Sequence, residues 1–134
     1  MNREIKFKAK CFGNWRYGSY VHFDKKPTNS RCNINYKDFI ITNEDDGEHY
    51  YPITDLSSIG QYTGLKDVNG KEIFEGDIVT IGNNLKAIVI WFNGSFRFQD
   101  ELSSKATYLD DIGVIMRDYD VQVIGNATDN PELM

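Results

Sequence analysis

At the head of the chain Ile5, Phe7, Ala9 and Cys11 alternate with Glu4, Lys6, Lys8 and Lys10, the period-two pattern of a strand with one buried and one wet face. A lysine-rich outer face suits a sheet edge that must avoid uncontrolled pairing, so this strand is expected at an edge. After a turn at Gly13-Asn14, the aromatic run from Trp15 to Phe23 reads as the second arm of an N-terminal hairpin, with Gly18 marking a bulge or a close approach. Residues 24–35 are polar and turn-rich and read as a loop. Asp38 to Thr42 and His49 to Tyr51, joined through Glu44-Asp45-Asp46-Gly47, make a second hairpin. Thr54 to Ser58 reads as one helical turn, capped by Thr54 or Asp55 and ended by Gly60.

From Glu72 onward the pattern is that of a small closed sheet. Ile78 to Ile81, a Gly82-Asn83-Asn84 turn, Lys86 to Phe92, an Asn93-Gly94 turn and Ser95 to Gln99 follow one another. Asn93-Gly94 is the strongest hairpin signal, because both central residues of a type I′ turn need positive φ. Ala87 to Phe92 is apolar on both faces, which predicts a central, well-protected strand. Residues 101–113 are ambiguous, with a short helix around Tyr108 to Ile112 as one reading. Tyr119 to Ile124 returns as a strand, and Asn130-Pro131-Glu132-Leu133 carries the cap-then-proline signature of a terminal helical turn.

These elements fit within 134 residues, of which 40% are hydrophobic and 26% charged, the range of one compact domain or two very small ones with a shared core. The longest apolar run, Ala87 to Phe92, is far shorter than the ~20 residues that span a bilayer. The alternating N-terminus offers no continuous hydrophobic signal region, which predicts a cytoplasmic protein with no membrane partner. The net charge of -5 hides an asymmetry. Residues 1–37 hold nine basic groups against Glu4 and Asp24, whereas the remainder is strongly acidic. Neutralisation within the fold or between subunits is the simpler reading of the basic arm; contact with phosphates is the sharper one. Cys11 continues the apolar phase of the first strand, and Cys32 falls in the polar loop. With His22 and His49 they lack the spacing of a zinc site, so neither metal nor cofactor is expected.

Candidate chemistry concentrates between Gln61 and Val79, a run dense in glycine, carboxylate and hydroxyl groups. It matches no phosphate loop, dinucleotide fingerprint or calcium loop. Turn chemistry accounts for it: Asn69-Gly70 as a tight turn, Gly64 and Gly76 as positive-φ positions, Asp67 and Asp77 as acceptors for backbone NH groups. Paired carboxylates at Glu75/Asp77 and Asp110/Asp111 invite an acid–base or two-metal reading. Only an i, i+2 pair shares a strand face, which makes Glu75/Asp77 the better of the two, but no nucleophile accompanies it. The expected binding surface is therefore the basic and aromatic set Lys6, Lys8, Lys10, Trp15, Arg16, Tyr17, Tyr20, Tyr50 and Tyr51; His49 reads separately as an exposed polar residue of a turn or strand.

Arg3 to Ala9, Trp15 to Ser19, and above all Gln61 to Asp67, Asn69 to Ile73 and Glu75 to Val79, closing with Val123 to Asn126 and Asn130 to Leu133, form a series that spans the chain. In these segments the chain resembles the YopX family of phage and prophage proteins. Phe74 stands where the family usually has tyrosine, and Ala127-Thr128 replaces a larger apolar-aromatic pair. The resemblance implies a small, mostly β protein encoded by a phage or prophage-like element, able to self-associate, and it supplies no reaction or catalytic residue.

Together these readings predict an all-β chain with one or two helical turns. An N-terminal basic part, 1–60, packs on or swaps onto an SH3-like barrel region, 61–134, whose strands run from about Ile73 to Ile124. The expected role is non-enzymatic, through a homo-oligomer and an unidentified host or phage protein. Nucleic-acid binding by the basic hairpin is the alternative.

Overall fold

The computed structural model describes residues 3–25, 35–83, 85–100 and 111–134. The chain divides into two compact units, Met1–Gln61 and Tyr62–Met134. Both are built from antiparallel strands, and the all-β class holds.

In the first unit β1 (Phe7–Cys11) pairs with β2 (Asn14–His22), and β2 with β3 (Asp38–Glu44). The hairpin to β4 (Gly47–Pro52) turns on Asp45 and Asp46, in the region the turn residues predict. The first hairpin turns one residue earlier than expected, at Phe12-Gly13, where both residues take positive φ (51° and 82°). Strand β1 is no edge: β5 (Asp55–Lys66) pairs along its other side. That same strand replaces the helical turn expected at Thr54 to Ser58. The local hydroxyls serve the ladder instead: buried Ser58 Oγ donates to Asp55 O (2.6 Å) and accepts from Lys10 N (2.8 Å). Ala9, Cys11, Ile40 and Ile53 form the core of the unit, with Phe7, Tyr20, Tyr51 and Ile59 against it.

Gly18 explains how β2 and β3 lie so close. A Cβ there would stand 2.2 Å from the carbonyl oxygen of Ile41, so only glycine fits, and close approach is the correct one of its two readings.

In the second unit the far part of β5 pairs with β6 (Glu72–Phe74). The sheet that follows has the order β10-β7-β8-β9, from β7 (Asp77–Ile81), β8 (Leu85–Phe92), β9 (Ser95–Asp100) and β10 (Val121–Asn126). Among the described residues this sheet is open, with β9 and β10 at its two edges, and the closed SH3-like barrel expected over 73–124 does not form. One face is sealed instead by α1 (Ile112–Asp118), whose Ile112, Ile115 and Met116 pack on a core of Ile73, Val79, Ile81, Ala87, Val89, Phe98, Val121 and Val123. Apolar residues at i, i+3 and i+4 give that helix its buried stripe. The helical reading at 108–112 lies mostly outside the described residues, as do Asp110, Cys32 and most of the 24–35 loop. No helix among the described residues is long and apolar enough to cross a membrane.

The Asn93-Gly94 turn has the positive φ values (51° and 81°) of the hairpin its sequence signals. Strand β8 is central, but its end is not buried: Trp91 is 54% exposed and Phe92 46%. The terminal turn, Pro131–Leu133, is a 3-10 helix, and Asn130 does not cap it. The Asn130 side chain instead accepts from Asn126 N at 3.2 Å.

Candidate interaction surface

Antiparallel partners project from the same face of a sheet, so the register of the first unit sorts the candidate residues into two groups. Lys10 stands opposite Trp15 and Lys8 opposite Tyr17, while Tyr50 joins them through its pairing with Ile41 and that of Ile41 with Ser19. Lys8, Lys10, Trp15, Tyr17 and Tyr50 thus share one face. Arg16, Tyr20 and Tyr51 lie on the other, with the buried core. Lys6 precedes β1 and sits 3.2 Å from the carboxylate of Glu4.

The lysine row is not an open basic strip. Lys8 is only 6% exposed, and its Nζ lies 4.6 Å from the centroid of the Trp15 ring. Lys10 Nζ lies 5.2 Å from the same ring and also donates to Gly13 O at 3.4 Å. An ammonium held over an indole face is attracted by the ring quadrupole, and the lysine stems cover apolar surface as they reach it. The rings left most open are Tyr17, 51% exposed, and Tyr50, 43%.

On the opposite face the phenols are committed inside the unit. Tyr20 Oη donates to Asp38 Oδ1 (2.6 Å), and the same oxygen meets His22 Nδ1 at 2.8 Å. The bond to the Asp38 carboxylate pushes the Tyr20 phenol up to about 12. Burial alone would raise Asp38, but the bonds from Tyr20 and His22 hold it below the ordinary aspartate range. Tyr51 Oη donates to Glu44 Oε2 (2.7 Å), which also accepts from Thr42 Oγ1 (2.6 Å); these bonds lower the Glu44 carboxyl and raise the Tyr51 phenol. His49, half-buried on β4, meets Asp46 Oδ1 at 2.6 Å, and that contact raises the imidazole. The Arg16 guanidinium lies 4.2 Å from the Tyr51 ring centroid, with its Nε buried and without an acceptor among the described residues. Burial pushes the neighbouring Cys11 thiol up, partly offset by the Arg16 charge.

The glycine- and carboxylate-rich segment of the second unit is a set of backbone clamps. Asp67 Oδ1 accepts from Asn69 N (2.9 Å) and Lys71 N (2.8 Å), and its Oδ2 accepts from Val123 N (2.9 Å). Burial opposes ionisation of this carboxyl, but the three NH donors outweigh it and lower its pKa. Asp77, 2% exposed, accepts from Phe74 N at 2.8 Å. Gly64, Gly70 and Gly76 take φ of 87°, 82° and 91°. Glu75 and Asp77 do not form the expected same-face strand pair, since Glu75-Gly76 is the turn between β6 and β7. Asp111 is the N-cap of α1, accepting from Val114 N at 3.0 Å. Among the described residues no group of three or more His, Cys, Asp or Glu gathers as a metal centre.

The clamped segment is also the stretch that carries the family resemblance most strongly, and residues 6–134 match the family model described as YopX protein. The chain belongs to the YopX family. No curated protein matches it. Among solved structures, the crystal structure of protein EF1440 from Enterococcus faecalis is similar at 24% identity, covers 97% of each chain and has a TM-score of 0.51. That likeness bears on the fold alone. Within this YopX-family chain the sequence reading missed the exposed pair Trp91-Phe92. The signal was present: both residues directly precede the Asn93-Gly94 turn, where a strand runs out into solvent.

Proposed function

We propose that this YopX-family protein is a non-enzymatic accessory protein of a phage or prophage, working in the bacterial cytoplasm by binding another protein and by self-association. The observation that carries this reading is the shared face of Tyr17 and Tyr50, both about half exposed, beside lysines whose stems line Trp15. Tyrosine and tryptophan are the residues that protein interfaces favour at their centres. The carboxylates most open to a catalytic reading, Asp67, Asp77 and Asp111, are engaged by backbone NH groups, which supports a scaffold role for them.

The same geometry weighs against nucleic acid. Phosphate binding needs lysine heads in solvent and base stacking needs open ring faces, whereas Lys8, Lys10 and Trp15 are turned toward one another.

The test is affinity capture from a lysogenic host, comparing the wild type with Tyr17→Ser/Tyr50→Ser, each with and without nuclease. A specific protein retained after nuclease by the wild type and lost with the folded variant is expected. Retention that disappears on nuclease treatment would favour the nucleic-acid reading. Sedimentation showing only monomer at high protein concentration and low salt would remove self-association.

A further inference from the structure

The second unit holds an open cleft of about 430 Å3 that plays no part in the surface above. It is lined by Thr80 and Gln122, which pair across β7 and β10, by the Gly82-Asn83 turn, by Val68, and by Asp118, Tyr119 and Asp120 at the passage from α1 to β10. The rim is fixed by backbone bonds, Gly82 N to Asp120 O (2.9 Å) and Tyr119 N to Ile115 O (3.1 Å). The Tyr119 ring leans over Gly82, with its Cδ1 3.9 Å from where a Cβ would stand there, and the residue remains 56% exposed.

Three features converge on the chemistry of an occupant. The only formal charges lining the cleft are the carboxylates of Asp118 and Asp120, and neither has a hydrogen-bond or ion-pair partner among the described residues. Asp118 is the last residue of α1, where the helix carbonyls add partial negative charge; Arg117, the basic residue of that last turn, does not line the cleft. Beside them stand the exposed Tyr119 and Val68 and the polar residues Thr80, Asn83 and Gln122, whose side chains carry oxygen acceptors. A planar cation with several NH donors satisfies all three: it pairs with carboxylates, stacks on an aromatic face and donates to amide oxygens. Two carboxylates fall short of the oxygen cage that a divalent metal ion requires from protein alone.

We propose that this cleft binds an arginine side chain presented by a partner polypeptide, with Tyr119 stacking on the guanidinium and Asp118 and Asp120 pairing with it. The site does not depend on the aromatic face of the first unit, and each is tested separately.

The experiment titrates the 15N-labelled full chain with N-acetyl-arginine methylamide and, in parallel, with N-acetyl-citrulline methylamide, which keeps the shape and loses the charge. Saturable amide shifts confined to Val68 and to residues 80–83 and 118–122, the cleft lining and its immediate neighbours, are expected with the arginine probe only, weakened about tenfold in Asp118→Asn/Asp120→Asn. Equal responses to both probes, shifts elsewhere in the chain, or none with arginine would overturn the proposal. The comparison of probes needs no variant, so it decides the matter even if the double substitution perturbs folding.

Discussion

Asp67 Oδ2 accepts a hydrogen bond from the backbone NH of Val123 at 2.9 Å, tying the turn after β5 to a strand 56 residues further along the chain. The other oxygen holds Asn69 N and Lys71 N. One buried carboxylate thus closes a local turn and a long-range contact together. Asp67→Ala leaves three NH groups without that acceptor and is expected to cost about 3 kcal/mol in urea denaturation. The folded-state pKa lies below the ordinary aspartate range, so the folded chain binds fewer protons than the unfolded one as this group titrates, and stability rises with pH. The contribution is complete above the unfolded pKa and is lost as pH falls through the folded value. Denaturation midpoints should therefore drop more steeply for the wild type than for Asp67→Asn on acidification below about pH 4. Parallel curves would show that Asp67 contributes nothing through its charge.

The approach of β2 to β3 sets a second expectation. The obstacle to a side chain at Gly18 is backbone, the Ile41 carbonyl oxygen at 2.2 Å, and it cannot rotate away. Gly18→Ala should destabilise the first unit by about 3 kcal/mol, visible as a lowered thermal midpoint. Unchanged melting would mean that the two strands can separate at little cost.

Asp111 separates a structural role from a catalytic one. Its side chain accepts from Val114 N at the start of α1, a role that asparagine also fills and alanine does not. Asp111→Asn should melt close to the wild type, and Asp111→Ala should lose about 1 kcal/mol. The opposite order would mean that the carboxylate charge matters for something other than capping.

What the sequence revealed was local, and what it hid was long-range. The Asn93-Gly94 and Asp45-Asp46 turns and the NH-binding roles of Asp67 and Asp77 follow from residue chemistry within a few positions, and all are present. The strand at Thr54 to Ser58 does not follow from such chemistry, because the partner that recruits Ser58 is Lys10, 48 residues away. The place of β1 between two neighbours and the open order of β10-β7-β8-β9 are likewise properties of pairing across the chain. Alternation along β1 separates its two faces but is silent on Trp15, which covers Lys8 from the adjacent strand. Helix α1 is legible in principle, since Ile112, Ile115 and Met116 have helical spacing after a capping aspartate, but the ambiguous run before it points to a helix further upstream, at 108–112. The cleft beside Tyr119 assembles from β7, β10 and the end of α1, a juxtaposition that no short motif encodes.

The two tryptophans offer a direct check on which surfaces are open. Trp15 is half-buried, with lysine ammonium groups 4.6 and 5.2 Å from its ring centroid. Trp91 is 54% exposed at the end of β8, with an edge contact to Phe96 at 4.9 Å between centroids. Apolar continuity alone places Trp91 inside, so its exposure distinguishes the observed strand end from a buried one. In Trp15→Phe, where Trp91 is the remaining tryptophan, acrylamide should quench the selectively excited tryptophan emission efficiently and the spectrum should be red-shifted. In Trp91→Phe, where Trp15 remains, quenching should be weaker. Equal quenching in the two variants, or a better-shielded Trp91, would mean that the end of β8 is covered in solution. Comparing the two at rising protein concentration would then show whether a second copy of the chain supplies the cover.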